Sequence, residues 1–197
     1  MDGYVVDIVR GDLLIEIQTA NFSAIRPKLT ALTAAHTVRL VYPIAQEKWI
    51  VKVAPDGART LSRRKSPKRG SVEEVFSELV SLPKLLANPN FGVEVLLIKE
   101  EEIRRHDGAR RWRRGGWVTH ERHLLEVVGR KGFETPADVN RLLPASLADP
   151  FTTHEVASAI GRPRRLAQQM TYCLREMGLI QVAGKRGRAV LYTRTQL

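Results

Sequence analysis

The stretch Y-V-V-D-I-V-R-G-D-L-L-I-E-I-Q-T, residues Tyr4 to Thr19, decides how the chain begins to fold. Two runs rich in β-branched residues, Tyr4 to Arg10 and Leu13 to Thr19, flank Gly11-Asp12. Glycine at the first central position of a two-residue loop suits a type II′ hairpin turn. Pairing Arg10 with Leu13 then sets Ile8 against Ile15, Val6 against Ile17 and Asp7 against Glu16. Alternation puts Val5, Asp7, Val9, Leu14, Glu16 and Gln18 on one face, and Val6, Ile8, Ile15 and Ile17 on the other, which reads as the core face. Carboxylates directly opposed on a sheet repel. A divalent cation, Mg²⁺ or Mn²⁺, would compensate Asp7 and Glu16, because hard carboxylate oxygens are what such an ion takes from a protein. A solvent-facing pair of acids screened by water is the other reading of the same two residues.

The chain has 197 residues, enough for one medium domain or two small ones, and its 43% hydrophobic and 27% charged content is that of an ordinary globular protein. No apolar run approaches the roughly 18 residues a membrane span needs, and no signal peptide is visible, so the expected compartment is the cytoplasm. The single cysteine, Cys173, excludes an internal disulfide framework and a cysteine-built zinc site, and its apolar surroundings suggest packing. The net charge of +11 points to a nucleic-acid partner. The cations come in clusters, as phosphate contacts would.

Downstream of the hairpin, Asn21 or Ser23 can cap a helix to about His36, with Ile25, Leu29 and Leu32 as its apolar stripe, Pro27 in its first turn and Lys28 beside the stripe. Val38 to Ile44 reads as a buried strand, so strand, helix and strand form a parallel crossover. Lys48 to Val53 is a further strand, in which Trp49 reads as core. Arg63 to Gly70 is a basic loop carrying Arg63, Arg64, Lys65, Lys68 and Arg69, and Ser71 with Glu74 forms a capping box for a helix that turns Val72, Val75, Phe76, Leu79 and Val80 inward. Phe91 to Ile98 is the last strand of this half, and Glu100 to Glu102 is expected to be a solvated surface. The segment from Arg104 to Trp117, with Arg110, Arg111, Arg113, Arg114, Trp112 and Trp117, suits an arm that meets backbone phosphates and stacks on bases, the other reading being a mobile, solvated charge run.

Glu121 to Gly129 and Pro136 to Leu143 are expected to be short helices, the first burying Leu124, Leu125, Val127 and Val128. His120 and His123 read as surface residues of that helix. Thr153 caps a helix from His154 to Ile160, Gly161 makes a turn, and Pro163 opens a longer helix to Met177. This arrangement resembles a helix-turn-helix. In the longer helix the inward positions are Leu166, Ala167, Met170, Leu174 and Met177. Arg164, Arg165, Gln168, Tyr172 and Arg175 face out, where Arg and Gln can read base edges in the major groove. Leu179 to Val182 and Ala189 to Tyr192 bracket a basic turn with Lys185, Arg186 and Arg188. Strand, turn and strand at this place resemble the wing of a winged-helix domain, whose turn would touch phosphate or the minor groove.

The N-terminal pattern resembles the PD-(D/E)XK nuclease superfamily. There an acid near a strand end, followed in the next strand by an acid-x-Lys triplet, binds a divalent metal and activates water for phosphodiester hydrolysis. Asp7 matches the first acid and Glu16 the second, and both would hold the metal. Gln18 stands where Lys is expected, and Lys28 on the following helix is the candidate for a migrated Lys. The resemblance implies a restriction-endonuclease-like α/β (α+β) domain with a mixed sheet over 1–103, a basic arm over 104–119, and a helical plus winged-helix DNA-binding domain over 120–197. The chain starts almost on the motif, so the helix and strand that precede it in the family would come from further upstream or from a partner subunit, or the site is incomplete; besides DNA, the expected partners are a second copy in a homodimer or such a completing subunit. The expected function is a divalent-metal-dependent DNA endonuclease. Alternatives are a catalytically inactive DNA-binding transcriptional regulator that keeps the nuclease-like half as a scaffold, and an RNA-binding module.

Overall fold

In the computed structural model, residues 3–106 and 116–195 are described. Strands β1 (Ile8–Arg10) and β2 (Leu13–Ile17) form the expected antiparallel hairpin, with Arg10 opposite Leu13, Val9 opposite Leu14 and Ile8 opposite Ile15. Gly11 supplies the left-handed φ of +58° that the turn demands. On β2 the faces are the reverse of the expectation, with Leu14 and Glu16 buried and Ile17 exposed, whereas β1 is exposed on both faces, at Ile8 as at Val9. The cause is helix α1 (Phe22–Leu32), whose Lys28 meets Glu16, so the helix covers the side of β2 that carries the carboxylate.

Helix α1 buries Phe22, Leu29 and Leu32 and ends four residues before His36. Asn21 stands at the cap with φ 61°, but its side chain accepts from Ser23 Oγ (2.6 Å). The Phe22 N–H instead donates to Glu78 Oε2 at 3.0 Å, a carboxylate at the positive end of the helix. Pro27 lies inside the helix, past its first turn. Strand β3 (Thr37–Val53) runs parallel to β2, with Leu14 opposite Val38 and Glu16 opposite Leu40, so the crossover is as expected.

β3 is one strand of 17 residues where the sequence suggests two. Its ladder with β2 ends at Val41, and its antiparallel ladder with β4 (Thr60–Lys65) starts at Trp49 opposite Lys65. Pro43 falls in the gap between these ladders, where its missing N–H breaks no pairing with either strand. Strand β4 also corrects the basic loop expected from Arg63: only the stretch after Lys65 is loop, and Ser66 and Gly70 donate to the carbonyls of Lys48 and Ala45. A 3₁₀ turn at Val72–Val75 leads into the one-turn helix α2 (Phe76–Leu79), and Val75, Phe76 and Leu79 are fully buried, as their spacing predicts.

Strand β5 (Phe91–His106) continues well past Ile98, and β6 (Trp117–Phe133) takes up the region expected to be a helix at Glu121 to Gly129. Leu124 and Leu125 are 61% and 49% exposed instead of buried. Arg39 lies beside Glu94 and Lys48 beside Glu100 and Glu102, so β3 and β5 run in the same direction. Leu97 lies beside Gly129 and His106 beside Gly116, so β6 runs back along β5. The result is a mixed α/β protein whose six-stranded mixed sheet has the order β1-β2-β3-β5-β6, with β4 on β3.

Helix α3 (Pro136–Asn140) carries a Thr135/Asp138 capping box and α4 (Thr153–Ile160) a Thr152/Glu155 box, one residue earlier than the expected Thr153 cap. Gly161, at φ 62°, closes α4, and α5 (Arg164–Glu176) opens after Pro163. Strands β7 (Ile180–Arg186) and β8 (Ala189–Arg194) pair as a second, separate sheet.

By compactness the chain divides into two units. The first comprises the described residues of Met1–Tyr42, Glu73–Val95 and Lys131–Leu197, and the second those of Pro43–Val72 and Leu96–Arg130. These units run across the boundaries at 103 and 119, because β3, β5 and β6 each contribute residues to both. The first unit holds the aromatic core of Phe22, Phe76, Phe91, Phe133 and Phe151, with α5 packed on α2 and α4. The second contains no α-helix among its described residues. Among the described residues no helix is long and apolar enough to cross a membrane.

Candidate functional site

The hairpin, α1 and one ion pair bring three of the expected site residues together. Lys28 Nζ lies 2.6 Å from Glu16 Oε1, with both side chains largely buried. The same Glu16 oxygen accepts the Asp7 N–H at 3.3 Å, and Asp7 Oδ2 accepts the Ile17 N–H at 2.8 Å. Asp7 lies just outside β1, yet the hairpin register still sets it across from Glu16. Gln18 does not join them, since its amide donates to Ala20 O at 2.6 Å. The repulsion between the acids is thus offset by one ammonium and two backbone N–H groups.

Two carboxylates suit Mg²⁺, which commonly binds through one or two of them and completes its shell with water and phosphate oxygens. Among the described residues no group of three or more His, Cys, Asp or Glu is placed to hold an ion. Asp7 and Glu16 alone would leave most of the shell of such an ion to water and phosphate oxygens.

The expected nucleic-acid contacts divide among three places. Arg164, Arg165, Gln168, Tyr172 and Arg175 are all exposed on α5, while Leu166, Ala167, Met170 and Leu174 are buried, as the helical period predicts. The Arg175 guanidinium lies 5.7 Å from the Tyr172 ring centre. Lys185, Arg186 and Arg188 stand on the β7–β8 hairpin, whose Gly187 turns with φ +60°. Arg186 pairs with Glu155 of α4 at 2.8 Å, and this bond with those from Thr152 holds the Glu155 carboxyl down at about 2. Arg63, Arg64 and Lys65 are exposed along β4, and Lys68 and Arg69 follow in the loop. Arg110, Arg111, Arg113, Arg114 and Trp112 lie outside the described residues. Trp49 is only part-buried, with the Arg63 guanidinium 4.0 Å above its ring, which corrects its reading as core. Cys173 is buried, and burial pushes its thiol up to about 12, so it is packing and not a nucleophile.

A cluster that the sequence reading missed lies on β5. Glu100 and Glu102 are buried and not solvated: Lys48 Nζ reaches them at 2.8 and 3.1 Å. Arg104 and Thr119 bond Glu102 at 2.6 and 2.9 Å. Burial alone would push the Glu102 carboxyl up; the bonds from Arg104, Lys48 and Thr119 outweigh it and bring the group down to about 2. The signal was legible, because Glu100, Glu102 and Arg104 sit at the two-residue spacing of one strand face. In the first unit a cleft of about 540 Å³ is walled by Arg26 and Thr30 of α1 and Tyr172 and Glu176 of α5.

The comparisons with known proteins name no activity. An uncharacterized protein of Treponema pallidum (strain Nichols) is 30% identical over 194 residues, covering 96% of this chain and 75% of its own length. No solved structure matches. The model of the domain of unknown function DUF8091 matches residues 1–134, which takes in β1 to β6 and stops before α3. The chain therefore belongs to the DUF8091 family.

Proposed function

We propose that the protein binds DNA through α5 and the β7–β8 hairpin, acting as a winged helix, and that Asp7, Glu16 and Lys28 form a divalent-metal-dependent phosphodiesterase centre of the PD-(D/E)XK kind on a restriction-endonuclease-like half. The observation that carries the hydrolytic part is the Lys28–Glu16 contact at 2.6 Å, because it puts a Lys from the following helix beside the acid whose own triplet lacks one. The observation that carries DNA binding is the row of outward Arg and Gln side chains on α5 followed by a basic hairpin turn.

In this mechanism Asp7 and Glu16 would hold Mg²⁺ or Mn²⁺, which when bound supplies Lewis-acid polarisation of the phosphate and an acidified water. The Ile17 N–H fixes the Asp7 carboxylate and Lys28 fixes that of Glu16, so both acids are oriented before substrate arrives. Lys28 also offsets negative charge that gathers on the scissile phosphate.

The test is cleavage of duplex, branched and single-stranded DNA with Mg²⁺ or Mn²⁺. Asp7→Ala is expected to lower the cleavage rate by on the order of 100-fold while DNA affinity is unchanged. A second reading is favoured by the burial of Glu16, only 5% exposed and held by protein partners: the triad is then a lock on the hairpin, and the protein is a DNA-binding regulator without hydrolytic activity. DNA binding with no metal-dependent cleavage by the wild-type protein selects that reading.

A further inference from the structure

We infer that the protein self-associates through β6, which pairs antiparallel with β6 of a second copy about a two-fold axis at Leu124. This goes beyond the DNA-binding and hydrolytic reading and does not depend on it. The sheet order ends at β6, a strand of 17 residues with no proline. Natural edge strands are kept from pairing by being short, bulged, proline-bearing, charged or covered, and of these β6 has only charge, of both signs and so able to complement a second copy. Here His120 to Glu126 are exposed at every position, on both faces, and the apolar Leu124 and Leu125 lie at the centre.

Symmetry narrows the registers. Antiparallel edge strands of identical chains are related by a two-fold axis normal to the sheet, which keeps each side chain on its own face. Directly opposed residues also share a face, so the axis must pass through a residue and not between two. An axis at Arg122 opposes arginine with arginine, and one at Glu121 or Glu126 opposes glutamate with glutamate, which is destabilising. An axis at Leu125 sets Leu124 against Glu126, and one at His123 sets Leu124 against Arg122. The axis at Leu124 sets Leu124 against its own copy and Arg122 against Glu126 twice, so on this face apolar meets apolar at the centre and both central charges meet their opposites, while on the other face His123 opposes Leu125 and Glu121 opposes Val127. Within the chain Glu126 also pairs with Lys99 at 2.7 Å, which places that carboxylate on the sheet face and not folded over the edge.

The experiment is sedimentation equilibrium on the full chain at micromolar concentration, with circular dichroism of each variant as the control for folding. The wild type is expected to dimerise, and Arg122→Glu and Glu126→Arg each to weaken dimerisation at least tenfold. An equimolar mixture of the two single variants then forms a heterodimer, since both pairs of residues 122 and 126 regain opposite charge, and the variant carrying both changes dimerises again. A monomeric wild type at roughly 100 µM, single reversals that leave the dimer intact, or a mixture that stays monomeric would each overturn the proposal. The mixture also separates a lost interface from a damaged fold, because a misfolded chain is not rescued by a second one.

Discussion

Glu16 shows what one residue can and cannot disclose. Its pairing partner, and the Lys that answers it, were legible in the sequence: a two-residue glycine turn fixes the register, and Lys28 follows on the next helix. The face it occupies was not. Val, Ile and Leu alternate on both sides of this hairpin, so hydrophobicity cannot choose a core face, and the choice falls to whichever side α1 covers. That burial makes the ion pair matter for stability. Lys28→Met removes the cation and leaves a carboxylate in a nearly closed site, so it is expected to cost about 3 kcal/mol in urea unfolding. The paired change of Glu16→Gln with Lys28→Met should recover most of that loss, because no unpaired charge remains. A single Lys28→Met that costs nothing would mean that water already reaches Glu16.

At the scale of an element, the strands depart furthest from what their own residues suggest. L-L-E-V-V within β6 has good helix formers, and T-L-S-R-R-K of β4 has no apolar alternation, yet both are strands because a neighbour supplies their hydrogen bonds. Helices α4 and α5 were readable to within a residue or so, since caps, turns and a 3.6-residue period are local signals, whereas the helix expected from Pro136 to Leu143 ends already at Asn140. β5 combines both cases, as its acids sit at strand spacing and their cations come from β3 and from further along β5. The consequence is a pH dependence. The Glu102 carboxyl is held at about 2 in the folded chain against an ordinary 4.5. A depressed carboxyl contributes stability that is present above its unfolded value and is lost as pH falls through the folded one. The window is therefore about pH 4.5 down to pH 2, with an upper bound of about 3 kcal/mol. Glu102→Gln should be less stable than wild type at pH 6, with the two converging as the pH approaches 2, measured by urea unfolding across the range. An equal gap at both ends would show that the lost stability is shape and not charge.

For the whole molecule, the informative quantity is where its charge lies. Residues 43–72 and 96–130 carry 17 Lys and Arg against 8 Asp and Glu, so the second unit accounts for a net +9 of the chain's +11. Composition reported the excess, and only the long-range pairing of β3, β4, β5 and β6 revealed that it belongs to one unit, which has no α-helix among its described residues. That pairing also explains why the expected boundaries at 103 and 119 do not follow the units. If DNA is the partner, the two units should contribute different things to binding. Affinity from phosphate contacts is insensitive to sequence and falls with salt, at a slope of about −0.9 per phosphate neutralised. Base contacts discriminate between sequences and change that slope little. Replacing Arg63, Arg64 and Lys65 of β4 with Gln should therefore weaken binding to every duplex alike and make the plot of log affinity against log salt shallower by about one to two units. Arg63 and Lys65 already pair with Glu101 and Glu47, so the change should fall short of three full contacts. Arg164→Ala with Arg165→Ala on α5 should instead narrow the gap between preferred and random duplexes. Fluorescence anisotropy at four or more salt concentrations separates the two outcomes, and an unchanged slope in the β4 variant would remove this unit from the DNA-binding surface.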